Sequence, residues 1–259
     1  MTEQTTANER LLKKVRALLA KAESTSFTEE AAALTAKAHE LIATHAIDLA
    51  MLEERIGRGE IVTRMIFIDA PYPKEKFLLL SAAASANNAD ALFGLGQKGF
   101  EALREQRRLD EMDSPGQFAW LVGYESDLDS VELLFTSLLL QAVNVMLNAG
   151  TKTDWSGTNR TKSFRRSFLI GFSNVIDRRL AEVARLARVT ADRESGGSVL
   201  PVLSSRRDEV ERELAEQFPN TKQLQTSVSN TEGIQAGAHA GVRADIGSTR
   251  MPGSRAALQ

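Results

Sequence analysis

Apolar residues recur at helical spacing from the first turns of the chain. Within residues 8–22, Leu11, Leu12, Val15, Leu18 and Leu19 fall on one face, which predicts an amphipathic helix. The pattern breaks over Glu23–Phe27. Ser26 with Glu29, or Thr28 with Glu29 and Glu30, then supplies the first turn of a second helix that runs to about His45. The pair reads as a helical hairpin of about 40 residues whose alanines let two backbones approach closely. Leu49–Ile56 predicts a third helical piece, closed by Gly57 and Gly59.

The period then changes. Glu60–Asp69 (EIVTRMIFID) is β-rich, bounded by Gly59 and Pro71, and predicts a strand. Lys74–Phe93 returns to an alanine-rich helical pattern. Gly94–Gln117, rich in glycine and charge, reads as an exposed excursion before a second strand at Phe118–Tyr124. Ser126 with Asp129 predicts the opening of a long helix. From Leu133 to Thr151 that stretch carries no charge, close to a membrane-spanning length. However, Thr136, Ser137, Gln141, Asn144 and Asn148 form a polar stripe, which a core helix with one wet edge needs and a lipid-facing helix does not. It is read as a buried helix.

Further on, the pattern predicts a polar loop, a helix over Phe164–Arg193, and a short strand at Ser198–Ser204 limited to an edge or bulge by Pro201. A charged helix over Arg206–Phe218 and a last helix over Glu232–Ile246 follow. On the last, Gly237 and Gly241 with Ala236, Ala240 and Ala244 make a small-residue face suited to a close helix crossing, inside the monomer or, as the alternative, across a dimer contact. The fold class is therefore α+β, predominantly α-helical. Its parts are an N-terminal helical hairpin region (1–57), an α+β body with a small sheet (58–150), a loop or hinge (151–163), a helical C-terminal part (164–247) and a disordered tail (248–259).

Composition narrows the class. The chain has 259 residues, 42% hydrophobic and 25% charged, which is ordinary for a globular protein able to bury a core without staples. It contains no cysteine, which excludes disulfides, thiolate metal sites and cysteine nucleophiles and suits a reducing compartment. Residues 1–10 are polar and carry no signal-peptide pattern, so the expected location is cytoplasmic, with no membrane partner. A net charge of −2 argues against a uniformly basic coat.

No catalytic constellation emerges. His39-Glu40 with His45 superficially looks like a zinc-protease helix, but that motif needs histidines four apart on one face. Here they are six apart and point to opposite faces, so no shared metal is expected. Gly94-Leu95-Gly96-Gln97-Lys98-Gly99 lacks the hydroxyl residue that holds magnesium in a phosphate loop, and reads as a flexible loop. Glu125, Asp127, Asp129 and Glu132 gather four carboxylates, which either favour a helix N-terminus through its dipole or, with partners from elsewhere, bind a metal. No motif calls for a cofactor.

The segments KVRALLAKAES and FTEEAAALTAKAHELIATHAI, over about residues 9–48, resemble the family carrying domain of unknown function 2786. VGYESDLDSVELLFTSLLLQAV, SFRRSFLIGFSNVIDRRLAE and AGAHAGVRADIG resemble the region that follows it in actinobacterial and phage members. The resemblance implies no activity and carries over no catalytic residue.

One asymmetry has functional content. Between Arg160 and Arg193 stand nine basic residues: Arg160, Lys162, Arg165, Arg166, Arg178, Arg179, Arg185, Arg188 and Arg193. Only Asp177, Glu182 and Asp192 oppose them, a local charge of +6. Trp155 lies in the polar loop upstream, where the core has no need of it. Cations for phosphates with an aromatic for a base predict a nucleic-acid contact, to DNA or RNA, through Trp155, Arg160, Lys162, Arg165, Arg166, Arg178 and Arg179. The alternatives are a protein-interaction or regulatory module of phage or host character docking through the N-terminal hairpin, an enzyme of unrecognised type using the 125–132 carboxylates, or a merely solvated basic face. The pattern leaves the oligomeric state open.

Overall fold

In the computed structural model, residues 59–94 and 116–246 are described continuously, together with scattered positions between 13 and 54. His45–Ala244 forms one compact unit, and Met1–Thr44 with Asp245–Gln259 forms a second. The described positions between 13 and 54 are helical, and Val15, Ala38 and Ile42 are buried. The rest of the N-terminal hairpin, His39 and His45 among it, lies outside the described residues. So do positions 95–115, with most of the glycine-rich excursion, and the tail beyond 246.

The larger unit begins with β1 (Ile61–Asp69), α1 (Pro73–Ala86), β2 (Asp90–Phe93) and β3 (Gly116–Tyr124). The strands form one antiparallel sheet in the order β1-β3-β2, with β3 between the two strands that α1 connects. Register runs from Ile61 opposite Tyr124 to Asp69 opposite Gly116 on one side, and from Asp90 opposite Val122 to Phe93 opposite Ala119 on the other. The four long helices follow: α2 (Glu125–Asn148), α3 (Thr161–Glu194), α4 (Val199–Gln217) and α5 (Thr231–Arg243).

Alternation along β3 decides what each face of the sheet meets. Val122 and Tyr124 pack with Val210, Leu214 and Phe218 around α4, and Trp120 meets Phe218 with ring centroids 5.9 Å apart. The opposite face meets α2: Gly123 lies against Leu128 and Ala89, and Arg64 of β1 donates to Asp129 at 2.8 Å and Glu132 at 2.6 Å. Central β3 is thus covered on both faces and buried from Phe118 onward.

Helix α3 is the centre of the unit. It is buried on Phe164, Phe168, Phe172, Ile176 and Leu180; the Phe164 and Phe168 rings meet tilted at 35°, and Phe168 and Phe172 stack. Along that row α5 presents Gly233, Gly237 and Gly241, whose Cα atoms sit against the backbone of Phe164, Phe168 and Phe172 in turn. Gly171 answers from α3 against the Ile234 carbonyl. The small-residue face therefore works inside the monomer, and it extends one turn further, to Gly233. The constant offset of the three pairs makes α3 and α5 parallel, with both N-termini at the same end.

Several expectations need correction. The alanine-rich helix ends at Ala86 rather than Phe93, because Asn88 adopts φ 55 and turns the chain into β2. Asparagine tolerates that left-handed region better than most residues. Ser198–Ser204 is no strand but the opening of α4. Pro201 stands third in that helix, where the amide it lacks has no intrahelical partner in any case. Asp192 of α3 caps α4 by accepting from Val199 N and Leu200 N, each at 3.0 Å. Helix α2 opens at Glu125 after an extended Tyr124 that gives no side-chain cap, so Ser126 and Asp129 form no cap.

Candidate functional site

The polar loop between α2 and α3 is an ordered hydrogen-bonded structure built on Asp154. Its Oδ1 accepts from Ser156 N at 3.0 Å, Ser156 Oγ at 2.6 Å and Thr158 N at 3.0 Å, while Oδ2 accepts from Arg160 Nε at 2.9 Å. These donors, the Ser156 hydroxyl foremost, hold the carboxyl down at about 2 against an ordinary 3.8. The backbone closes the same loop: Thr153 bridges Asn159, Gly157 turns at φ 80, and Arg160 N donates to Lys152 O at 2.7 Å. At its tip Trp155 is 98% exposed. Four hydrogen bonds accepted by one carboxylate thus present an indole almost wholly to solvent.

The loop is anchored on helix ends. Lys152 pairs with Glu232 of α5 at 2.8 Å and lies over the Phe164 ring, 4.9 Å from its centroid. Thr161 opens α3, and its N–H donates to Asn159 Oδ1 at 2.9 Å. Ser167 Oγ accepts from Ser229 N and Asn230 N at 3.3 and 3.1 Å, tying the start of α5 to α3. Trp155, Arg160, Lys162 and the N-termini of two parallel helices therefore belong to one end of the unit. The first turn of α3 contains no acidic residue.

The remaining basic residues disperse. Helical rotation already separates them, since Arg178 and Arg185 project roughly 150° around α3 from Lys162. Arg166 donates to Glu75 at 2.7 Å, where Glu75 is nearly buried. Arg179 donates to the Gly241 and Ala244 carbonyls at the C-terminal end of α5. Arg188 donates to Asn88 Oδ1 at 2.8 Å and reaches Ala86 O at 3.4 Å, at the end of α1. Burial, then the nearby charge of Arg207, lowers the Arg188 pKa. Arg185 pairs with Glu182, and exposed Arg178 bonds Asn174 O in its own helix. Lys162 is exposed. Arg165 keeps a buried Nε without a hydrogen-bond partner among the described residues.

The four carboxylates of 125–132 also separate. Asp129 and Glu132 turn to Arg64, Glu125 is exposed, and Asp127 is buried against Arg206 at 3.1 Å. Arg206, 1% exposed, stacks over Tyr124 at 3.6 Å, and Tyr124 Oη donates to Glu209. Reading by charge missed this buried cluster. Its signal was the spacing Val199, Leu203, Arg206, Val210, which puts the arginine on the apolar stripe of α4. Each of these side chains has a partner in the fold, so the cluster is a positioning element between sheet and helix.

Residues 10–49 match the family described as "Protein of unknown function (DUF2786)". No curated protein matches the chain. No solved structure matches it either.

Proposed function

We propose that this chain binds single-stranded nucleic acid at the end of the unit formed by the 151–160 loop and the start of α3. A base stacks on Trp155, and backbone phosphates meet Lys162, Arg160 and the first-turn amides of α3. The observation that carries the reading is the 98% exposure of Trp155 on a loop that the Asp154 carboxylate holds in shape. A fully exposed indole gains nothing for folding, whereas a fixed one forms a stacking platform that needs little ordering on binding.

Electrostatics at the same end support the phosphate half. A helix N-terminus carries a partial positive charge, so cations in the first turns of a helix oppose its dipole. Helix α3 nonetheless starts with Arg160, Lys162, Arg165 and Arg166, and α5 points its own N-terminus the same way. An anion there relieves the repulsion at the start of α3, whereas α5 already has Glu232 in its first turn and Asn230 as its cap; the amides of Lys162 and Ser163 stand where the helix itself offers no carbonyl. The footprint is narrower than the charge count: it takes Trp155, Arg160, Lys162 and Arg165, while Arg166 and Arg179 are occupied inside the fold.

The test is fluorescence anisotropy of labelled DNA and RNA oligonucleotides across a salt series. Trp155→Ala should weaken single-strand binding by roughly 1–3 kcal/mol and leave the slope of log affinity against log salt unchanged. Lys162→Ala should flatten that slope by roughly 0.7, because one fewer phosphate is neutralised on binding. Wild-type protein that binds no oligonucleotide at low salt refutes the reading.

A further inference from the structure

The outer edge of β2 opens onto an apolar groove. Among the described residues β2 pairs with β3 alone, and Gly94 N donates to Phe118 O at 2.8 Å. By the alternation of an antiparallel ladder, Ala91 and Phe93 therefore turn their N–H and C=O groups away from β3. Along that edge lies a cavity of about 680 Å³, between α1, β2 and the chain that leaves α4. Two ring pairs wall it. Phe77 and Phe93, with centroids 5.1 Å apart, belong to one face of the sheet, and Trp120 with Phe218 to the other. Its polar groups gather on the segment after α4. Gln217 is occupied, by Thr63 at 2.8 Å and Glu213 at 2.6 Å, which leaves Asn220, Thr221 and Lys222, all exposed. Among the described lining residues Lys222 carries the only charge, no carboxylate is present, and Lys222 makes no ion pair.

We propose that this groove binds a small aromatic carboxylate, its ring lodged between the two ring pairs and its carboxylate at Lys222. The volume falls within the roughly 300–1,000 Å³ of small-molecule sites, and an apolar, aromatic lining with a few polar groups at one side is their usual composition. Ring pairs that already meet at a tilt accept a further ring in the same edge or offset contacts. The sign of the ligand follows from the charge: a lone cation without a carboxylate nearby complements an anion, whereas a cationic ligand would find no counter-charge. An added peptide strand fits less well. β2 is four residues long, and edges that short are poor templates for another strand. The proposal uses none of the residues assigned to nucleic-acid binding and stands independently of it.

The test is a titration of phenylbutyrate, and separately of the neutral phenylbutanol, into the full-length isotope-labelled chain, read on its two indole N–H resonances. The Trp120 resonance should shift saturably with the acid, while that of the exposed Trp155 stays in place. Lys222→Ala should weaken the acid roughly two- to fivefold, the range of an exposed ion pair, and leave the alcohol unchanged. Ser81→Phe, which fills the groove from α1, should abolish both shifts. Lys222→Ala changes an exposed position, so it keeps the test decisive if Ser81→Phe misfolds. A Trp120 resonance that does not move overturns the proposal. So does an acid that binds no more tightly than the alcohol and is indifferent to Lys222→Ala.

Discussion

Gly237→Ala tests the crossing on which the helical half of the unit depends. In an exposed helix the exchange stabilises by roughly 1 kcal/mol, because alanine loses less backbone freedom on folding. At Gly237 the added Cβ would fall well inside the van der Waals contact distance of the Phe168 carbonyl oxygen, with the carbonyl carbon at 2.7 Å and the Cα at 2.9 Å. All three are backbone atoms of α3, so no change of rotamer makes room and the helices must move apart. A gap of 0.5–1 Å forfeits roughly a quarter to a half of the dispersion well for every atom pair along the seam. Overpacking of this kind costs ~1–3 kcal/mol, and backbone on both sides places it at the upper end.

Subtracting the propensity gain leaves a net loss of about 2 kcal/mol. At ~2–4 °C per kcal/mol, the melting temperature should fall by roughly 4–8 °C. Gly241→Ala should be milder, since its added Cβ would meet nothing nearer than Val175 Cβ at 2.9 Å and the Phe172 carbonyl oxygen at 3.0 Å, so the helices need to part less. Gln235→Ala, on the exposed side of α5, should stay within about 0.5 kcal/mol. Thermal and urea unfolding followed by circular dichroism measure the series. A Gly237→Ala protein as stable as the wild type would refute the close crossing.

Two further outcomes follow from buried and bonded charges. Arg206→Met leaves Asp127 buried without its guanidinium and should cost about 3–5 kcal/mol in urea unfolding; adding Asp127→Leu should recover much of it, and additive losses would mean the two do not interact. The Asp154 carboxyl is held at about 2 against an ordinary 3.8, so its depressed value contributes order that is present above 3.8 and lost as pH falls toward 2. The amide resonances of Ser156 and Thr158 should therefore hold steady from neutral pH to about 4 and shift only below it, whereas movement centred near the ordinary value contradicts the loop geometry.

How far the fold was legible depended on whether local pattern or tertiary packing set each element. β1, β3 and α2 announce themselves by period, and the basic run from Lys162 to Arg193 sits on one helix that begins three residues before the expected Phe164. β2 is four residues long and hides inside an alanine-rich run; only the Asn87-Asn88 pair marks the turn before it. Residues 199–204 have β-prone composition, yet Asp192 caps them from another helix, and Ile47 and Ala50 pack on Val199 and Leu203. Apolar content also marked α2 as a buried helix, and nine of its 24 residues are buried. What the period did not show is how closely α3 is approached: glycines on α5 let that helix close in on it, and period alone does not report how near a neighbour stands.

Charge shows the same limit at the candidate site. A count over 160–193 treats nine cations as one surface, but a cation's role depends on which carbonyls and carboxylates the fold brings to it. Because α5 runs parallel to α3 and ends beside its middle, Arg179 reaches the open carbonyls of α5, and Arg188 does the same for α1. There the negative ends of two shorter helices meet positive side chains from the body of a longer one, the favourable sense of the dipole interaction. The cations at the start of α3 have the opposite relation to their own helix, and that end also carries the N-terminus of α5. Body arginines are thus accounted for by folding, whereas Lys162 and Arg165 oppose the local field beside an indole that folding does not use, and Arg160 is tied to the loop through Asp154. That division, absent from the sequence, confines the proposed phosphate contacts to one end of the unit.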